Sequence, residues 1–170
     1  MKKAGALNVG EIQRGGPSGK EEQLKIENPT GEPKTVTVID LKDPGFTALS
    51  YGVEGSVRCE NVRGKSYLEI WNHFADGGAY FSRTLGDMGV MRHLEGTSDW
   101  RPFLLPFFSD KKVGLPTRIV VNMVFVDRGT VYLSPVKLYQ LRGGWWTDQE
   151  AGWIGGIGGS IFGLLGCLIT

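Results

Sequence analysis

The sequence predicts an all-β fold, an antiparallel two-sheet sandwich, followed by a C-terminal helix of the transmembrane type. Short runs rich in aromatic and β-branched residues alternate with turns that contain glycine and proline. Within several runs polar and apolar residues alternate, which is typical of strands with one solvated face. A long apolar segment without charged residues ends the chain. These three observations predict a β-domain with a membrane attachment.

Composition limits the class of protein. The chain has 170 residues, of which 41% are hydrophobic and 11% aromatic, enough to bury a core in one domain. Nineteen basic residues against 18 acidic ones give a net charge of +1, so no basic surface favours nucleic acid as a partner. Cys59 and Cys167 lie in unrelated runs, and nothing in their positions indicates a disulfide.

The predicted order of elements begins with a flexible lead-in at residues 1–23, rich in Gly, Pro, Ser, Lys and Glu towards its end. The sandwich domain is predicted over residues 24–141. Its eight predicted strands cover residues 24–27, 35–41, 51–60, 67–74, 79–85, 100–108, 118–126 and 130–141.

Turn sequences separate these strands, among them residues 63–65 (Arg-Gly-Lys) and 127–129 (Asp-Arg-Gly). Residues 119–126 are almost continuously apolar, which indicates a strand near the middle of a sheet. Residues 87–97 hold either one helical turn or a loop.

Residues 142–150 form a predicted linker, and residues 151–170 a predicted transmembrane helix. Nineteen residues, 151–169, carry no charge, about the length that spans a bilayer. Trp145 and Trp146 suit the membrane interface. Glycines spaced for close helix packing predict a homo-oligomer contact in lipid: Gly152, Gly155, Gly156, Gly159 and Gly163. The alternative is a glycine-rich tail that folds back on the sandwich or frays.

The predicted location follows from this segment. The N-terminus lacks the continuous apolar core of a cleavable signal peptide. We therefore expect a membrane-anchored protein whose sandwich is extracytoplasmic if a signal precedes Met1, and on the cytoplasmic face otherwise.

No set of residues in the sequence indicates catalysis. Glu69 and His73 share a strand face, but Asp76 belongs to the next turn, so the three do not form a metal site. Neither Ser82 nor Cys59 lies in a nucleophile motif. We predict a protein that is not an enzyme and uses no cofactor or metal.

Aromatic residues are the one feature that indicates binding, because a sugar ring can stack on an exposed aromatic face. The predicted ligand-binding residues are Trp71, Tyr80, Arg83, Trp100 and Arg101. Phe81, Tyr139 and Asn72 are further candidates for stacking or polar contact. In the competing interpretation, Trp71 and Trp100 are buried in the core, and the two arginines form structural ion pairs with Asp87 and Asp99.

Part of the chain resembles a known group of proteins. Residues 97–103 (TSDWRPF) open a strand with Trp after a polar turn, residues 119–126 are apolar, and residues 129–133 (GTVYL) lead to a closing strand at 136–138. This pattern resembles the carbohydrate-binding jelly-roll modules of the galactose-binding-like superfamily over about residues 24–141. The resemblance implies a jelly roll and a glycan ligand.

The chain departs from that pattern at one place. Many such modules carry an Asp for a structural calcium just after the closing strand, where this chain has Ser134 and Pro135. A calcium site of that type is therefore not expected. Residues 67–85 also resemble uncharacterised bacterial membrane-attached proteins, a likeness that implies no activity.

Two functions are consistent with these features. The first is a non-catalytic, membrane-tethered binding module that recognises carbohydrate. The second is a structural or interaction protein that assembles with other protein subunits through the sandwich surface and the glycine-rich helix.

Overall fold

The computed structural model describes residues 10–141. This part of the chain is built from β-strands and one 3-10 turn, Gly89–Met91. The strands are β1 (Glu11–Arg14), β2 (Glu22–Asn28), β3 (Lys34–Lys42), β4 (Ser50–His73), β5 (Ala79–Arg83), β6 (Leu94–Phe108), β7 (Arg118–Phe125), β8 (Gly129–Leu133) and β9 (Lys137–Leu141). All named strands pair antiparallel. The predicted all-β, antiparallel fold is confirmed.

One long strand, β4, joins two halves of a curled sheet. Its first part pairs with β6 on one side and with β8 and β9 on the other, and β8 continues to β2 and β1. We call this half sheet A. Its last part, from Tyr67 to His73, lies between β5 and β7, and β7 continues to β3. We call this half sheet B. The curled arrangement is consistent with a β-sandwich.

The core lies between the inner faces of the two halves. Alternate residues of each strand point into it because successive side chains of a strand face opposite ways. In sheet B the central strand β7 supplies Ile119, Val121 and Met123, all essentially inaccessible to solvent. Sheet A supplies residues such as Val53 and Leu105, which are equally buried. The apolar run that predicted a central strand is therefore confirmed in β7.

The structure differs from the predicted elements in three places. Residues 63–65 do not reverse the chain: β4 continues through them as an irregular stretch in which Gly64 takes a positive φ of 69°, and pairing with β6 resumes at Ser66. The last predicted strand is two strands, β8 and β9, separated by residues 134–136. In the lead-in that was predicted to be flexible, β1 pairs with β2 in a register that sets Ile12 opposite Leu24.

The predicted linker and transmembrane helix, with Gly152, Gly155, Gly156, Gly159 and Gly163, lie outside the described residues. Within residues 10–141, no helix has the length and apolarity that crossing a bilayer requires.

Candidate functional site

The candidate site is the outer face of sheet B, the face turned away from the core. Four strands build it in the order β3, β7, β4 and β5. On β4 the inward side chains are buried apolar residues such as Leu68 and Ile70, so the residues between and beside them face outward. Register then sets Phe81 of β5 and Val120 of β7 on either side of Trp71.

A row of hydrogen bonds crosses all four strands of this face. Thr37 Oγ1 on β3 donates to Asn122 Oδ1 on β7 at 2.9 Å. Asn122 Nδ2 donates to Glu69 Oε1 on β4 at 3.0 Å. On β5, Arg83 Nε donates to Glu69 Oε2 at 2.8 Å. We call these four residues the polar row. Both carboxylate oxygens of Glu69 have a partner, which is what allows this residue to be only 5% exposed.

Aromatic side chains flank the polar row and hold its arginine. The Arg83 guanidinium carbon lies 4.0 Å from the ring centre of Phe81, 5.2 Å from that of Tyr67 and 6.0 Å from that of Trp71. These distances are within the range of cation–π attraction. We call Tyr67, Trp71, Phe81 and Arg83 the aromatic–arginine cluster.

The two rings nearest the edge of the sheet pack against each other at an angle, so they present a bent rather than a flat aromatic surface, which we call the aromatic cleft. Trp71 and Phe81 lie with ring centres 5.0 Å apart and planes at 53°. Phe81 is 50% exposed and Trp71 is half-buried. Within residues 10–141, the Arg83 Nη1 and Nη2 groups have no hydrogen-bond partner. The face thus offers an aromatic cleft beside free, pre-oriented donors.

An ion pair lies at the opposite side of this face from β5, between β3 and β7. Arg118 of β7 donates from Nε and Nη2 to the two carboxylate oxygens of Asp40 on β3, at 2.7 and 2.6 Å. These hydrogen bonds lower the pKa of Asp40 and raise that of Arg118. Because each charge is matched, this end of the face carries no free charge from the pair.

The structure brings together only two of the five predicted ligand-binding residues, Trp71 and Arg83. Tyr80 is on the other side of β5 from Phe81, where it is 47% exposed and meets Phe74 edge to face at 5.8 Å. Trp100 is on sheet A; it is half-buried, with the Arg58 guanidinium 6.0 Å from its ring. Neither tryptophan is buried in the core, as the competing interpretation had it, although both are less exposed than Tyr80.

Arg101 holds the backbone before β6. Its Nη2 donates to the carbonyl oxygens of Arg92 at 3.0 Å and His93 at 2.9 Å. Desolvation lowers its pKa. The ion pair of Arg101 with Asp99 that the sequence suggested is absent in the described part of the chain, and Arg83 pairs with Glu69 rather than with Asp87. Arg101 therefore fixes a loop and does not face the cleft.

Ser134, at the position where the resemblance implies an Asp for calcium, has a structural role. Ser134 Oγ accepts a hydrogen bond from the Ser56 amide at 2.9 Å, and the Ser134 amide donates to the Ser56 carbonyl at 2.9 Å. No group of three His, Cys, Asp or Glu side chains that could hold a metal occurs within residues 10–141.

We did not predict Glu69, Asn122 and Thr37 as parts of the binding face. Phe81 was predicted as a candidate for stacking, but its position beside Trp71 was not. The alternation of β4 did indicate that Glu69 shares a face with Trp71. The partners on β3, β5 and β7 depend on strand register, which no local pattern reveals.

No protein family description matches the sequence, and no curated protein sequence matches it. Solved structures do share its fold. The structure of TmCBM61 in complex with β-1,4-galactotriose aligns with a TM-score of 0.50 and 12% identity, over 81% of this chain and 86% of that chain. The crystal structure of a family 30 carbohydrate-binding module aligns with a TM-score of 0.52 and 10% identity, over 86% of this chain and 81% of that chain.

Identities this low establish the fold alone. Both neighbours are carbohydrate-binding modules. The chain has the jelly-roll fold of carbohydrate-binding modules.

Proposed function

We propose that the protein is a non-catalytic carbohydrate-binding module that holds a sugar on the outer face of sheet B. The observation that carries this proposal is the exposed aromatic surface formed by Trp71 and Phe81 together, beside the free Nη groups of Arg83. A pyranose ring has apolar C–H faces and a rim of hydroxyls. Such a ring suits an apolar wall next to fixed hydrogen-bond donors.

The polar row supports the proposal by holding these donors in place. Arg83 is fixed through Nε by the buried carboxylate of Glu69 and lies over the ring of Phe81. A side chain already held in one orientation loses little entropy when a ligand binds. Since Glu69 offsets the charge of Arg83, the cleft is suited to neutral sugar hydroxyls.

Titration calorimetry of the full chain tests the proposal, with a panel of neutral oligosaccharides that includes β-1,4-galactotriose. Trp71→Ala and Phe81→Ala should each weaken binding about two- to tenfold, as expected for loss of one ring contact. The matched control is Phe108→Ala, because Phe108 is 59% exposed and lies outside the aromatic–arginine cluster. If no sugar binds, or if binding does not depend on Trp71 and Phe81, the proposal is wrong.

We further infer that residues 151–169 attach the module to a membrane, with lipid as a partner and a second copy of the helix as another. The support is the sequence alone: nineteen uncharged residues with glycines spaced for helix packing. The module would then lie at the membrane surface, on the outer side if an export signal precedes Met1.

Alkaline carbonate extraction of the full chain tests this membrane attachment, with a chain ending after Leu141 as control. Equal release of both chains would contradict it.

A further inference from the structure

A second surface feature lies away from the sugar cleft, where β4 passes from sheet A to sheet B. It is an open pocket of about 640 Å³. Its walls come from the end of β2, the irregular part of β4, the start of β6 and the turn between β7 and β8.

The pocket wall on β4 is fixed by backbone contacts. Asn61 takes a positive φ of 52°, and its amide donates to Thr97 Oγ1 of β6 at 3.0 Å. The Arg63 amide donates to the Arg128 carbonyl at 2.9 Å, which sets the backbones of these two arginines side by side. Their side chains are exposed, and both residues line the pocket.

The charges around the pocket do not cancel. Glu27 lines it but is paired with Lys25. Glu60 lines it too, and its oxygens are occupied by Arg58 Nη1 at 2.9 Å and by the Tyr132 hydroxyl at 3.0 Å. Both acidic groups of the pocket are therefore satisfied by neighbours on sheet A.

The two arginines keep their charge. Among the described residues, neither the Arg63 nor the Arg128 side chain forms an ion pair. The nearby Asp127 carboxylate accepts from the Arg128 amide at 2.6 Å and does not line the pocket. The pocket thus has two guanidinium groups without an ion-pair partner among the described residues, and the Thr97 hydroxyl also lines it.

We propose that this pocket is an oxyanion-binding site whose ligand is a carboxylate or sulfate group, held by Arg63 and Arg128. A guanidinium presents parallel N–H donors that match the paired oxygens of such groups. The group is either part of an acidic saccharide or a free anion. The site is separate from the sugar cleft of sheet B, so it does not depend on the function proposed there.

Calorimetry of the full chain at low ionic strength tests this with two probes, a galacturonate oligosaccharide and inorganic sulfate. We expect Arg63→Gln and Arg128→Gln each to weaken binding about tenfold, the loss of about one charge-assisted hydrogen bond. Raising the ionic strength from about 0.01 M to about 1 M shortens the Debye length from about 30 Å to about 3 Å and should weaken binding further. The matched control is Arg14→Gln, an exposed arginine at the opposite end of the β1–β2 pair that should leave binding unchanged.

The two probes distinguish the sources of the oxyanion. Binding of the saccharide well above that of sulfate, lost in both variants, supports an acidic glycan as ligand; equal binding supports a free anion. Binding of neither probe, or binding that survives Arg63→Gln and Arg128→Gln together, overturns the proposal. Melting temperatures check that the variants fold, which we expect because both side chains are exposed and the bond between Arg63 and Arg128 joins backbone atoms.

Discussion

Asn122 Nδ2 donates to Glu69 Oε1 at 3.0 Å, and this bond joins β7 to β4 between residues 53 positions apart. It is the middle link of the polar row and lies on the outer face of a sheet, yet Glu69 is only 5% exposed. A carboxylate can be buried there because Arg83 and Asn122 satisfy one oxygen each. The polar row therefore contributes to stability as well as to the sugar cleft.

Replacing Glu69 by Ala should lower the free energy of unfolding by about 1–3 kcal/mol, because Arg83 and Asn122 lose their acceptor in a region with little water. Urea unfolding followed by circular dichroism measures the change. Glu69→Gln, which keeps one of the two acceptor oxygens, should cost less than Glu69→Ala. The control Glu32→Ala removes an exposed side chain in the β2–β3 loop, and a loss as large there would show that the polar row has no special role.

Local sequence pattern predicted much of the fold because strand periodicity is a local property. It placed most strands, the central position of β7, and the shared face of Tyr67, Glu69, Trp71 and His73. It was wrong at residues 63–65, where a turn-like sequence lies inside β4. There, pairing with β6 on both sides of the irregular stretch keeps the strand continuous.

The candidate site was less predictable because its geometry depends on register between distant strands. The sequence suggested Asp87 as the partner of Arg83, since the two are close in the chain. The actual partner, Glu69, becomes adjacent only when β5 folds back on β4. Likewise, Trp100 and Arg101 are consecutive in the chain but have different neighbours: Arg58 lies near the Trp100 ring, and Arg101 donates to the carbonyls of Arg92 and His93.

Gly52 should not tolerate a side chain. A Cβ at this position would lie 2.5 Å from the Leu105 carbonyl oxygen and 2.6 Å from the Tyr139 hydroxyl. Gly52→Ala should therefore destabilise the fold by about 1–3 kcal/mol, the cost of overpacking. Thermal unfolding measures it. Gly31→Ala is the matched control, because its nearest contact is at 3.5 Å, and an equal loss there would contradict the explanation.

Two neighbouring leucines of β6 test which face of that strand is inside. Leu105 has no accessible surface, whereas Leu104 is half-buried and faces the other way. Leu105→Ala should cost about 2–5 kcal/mol because it leaves a cavity in the core. Leu104→Ala should cost clearly less. Denaturant unfolding of both variants checks the difference, and a reversed order would mean that β6 is paired in another register.

The last prediction concerns stability at alkaline pH and the phenol of Tyr139. Its oxygen is buried and has no hydrogen-bond partner among the described residues. Burial, with a smaller effect from Glu54, raises the pKa of Tyr139 from 10.0 to about 12. Above about pH 10 the unfolded chain therefore loses this proton before the folded chain does. Unfolding then releases a proton, so stability should be full below about pH 10 and should fall as the pH rises towards about 12.

Tyr139→Phe removes both the ionisable group and the unpaired hydroxyl. The variant should be at least as stable as the natural chain at neutral pH, because it no longer buries a polar atom without a partner. Between about pH 10 and about pH 12 it should lose less stability than the natural chain. Some loss should remain, since burial raises the pKa of Tyr51 as well. Urea midpoints across this pH range measure the effect, and parallel curves for the two proteins would show that the Tyr139 phenol is hydrated in the folded state.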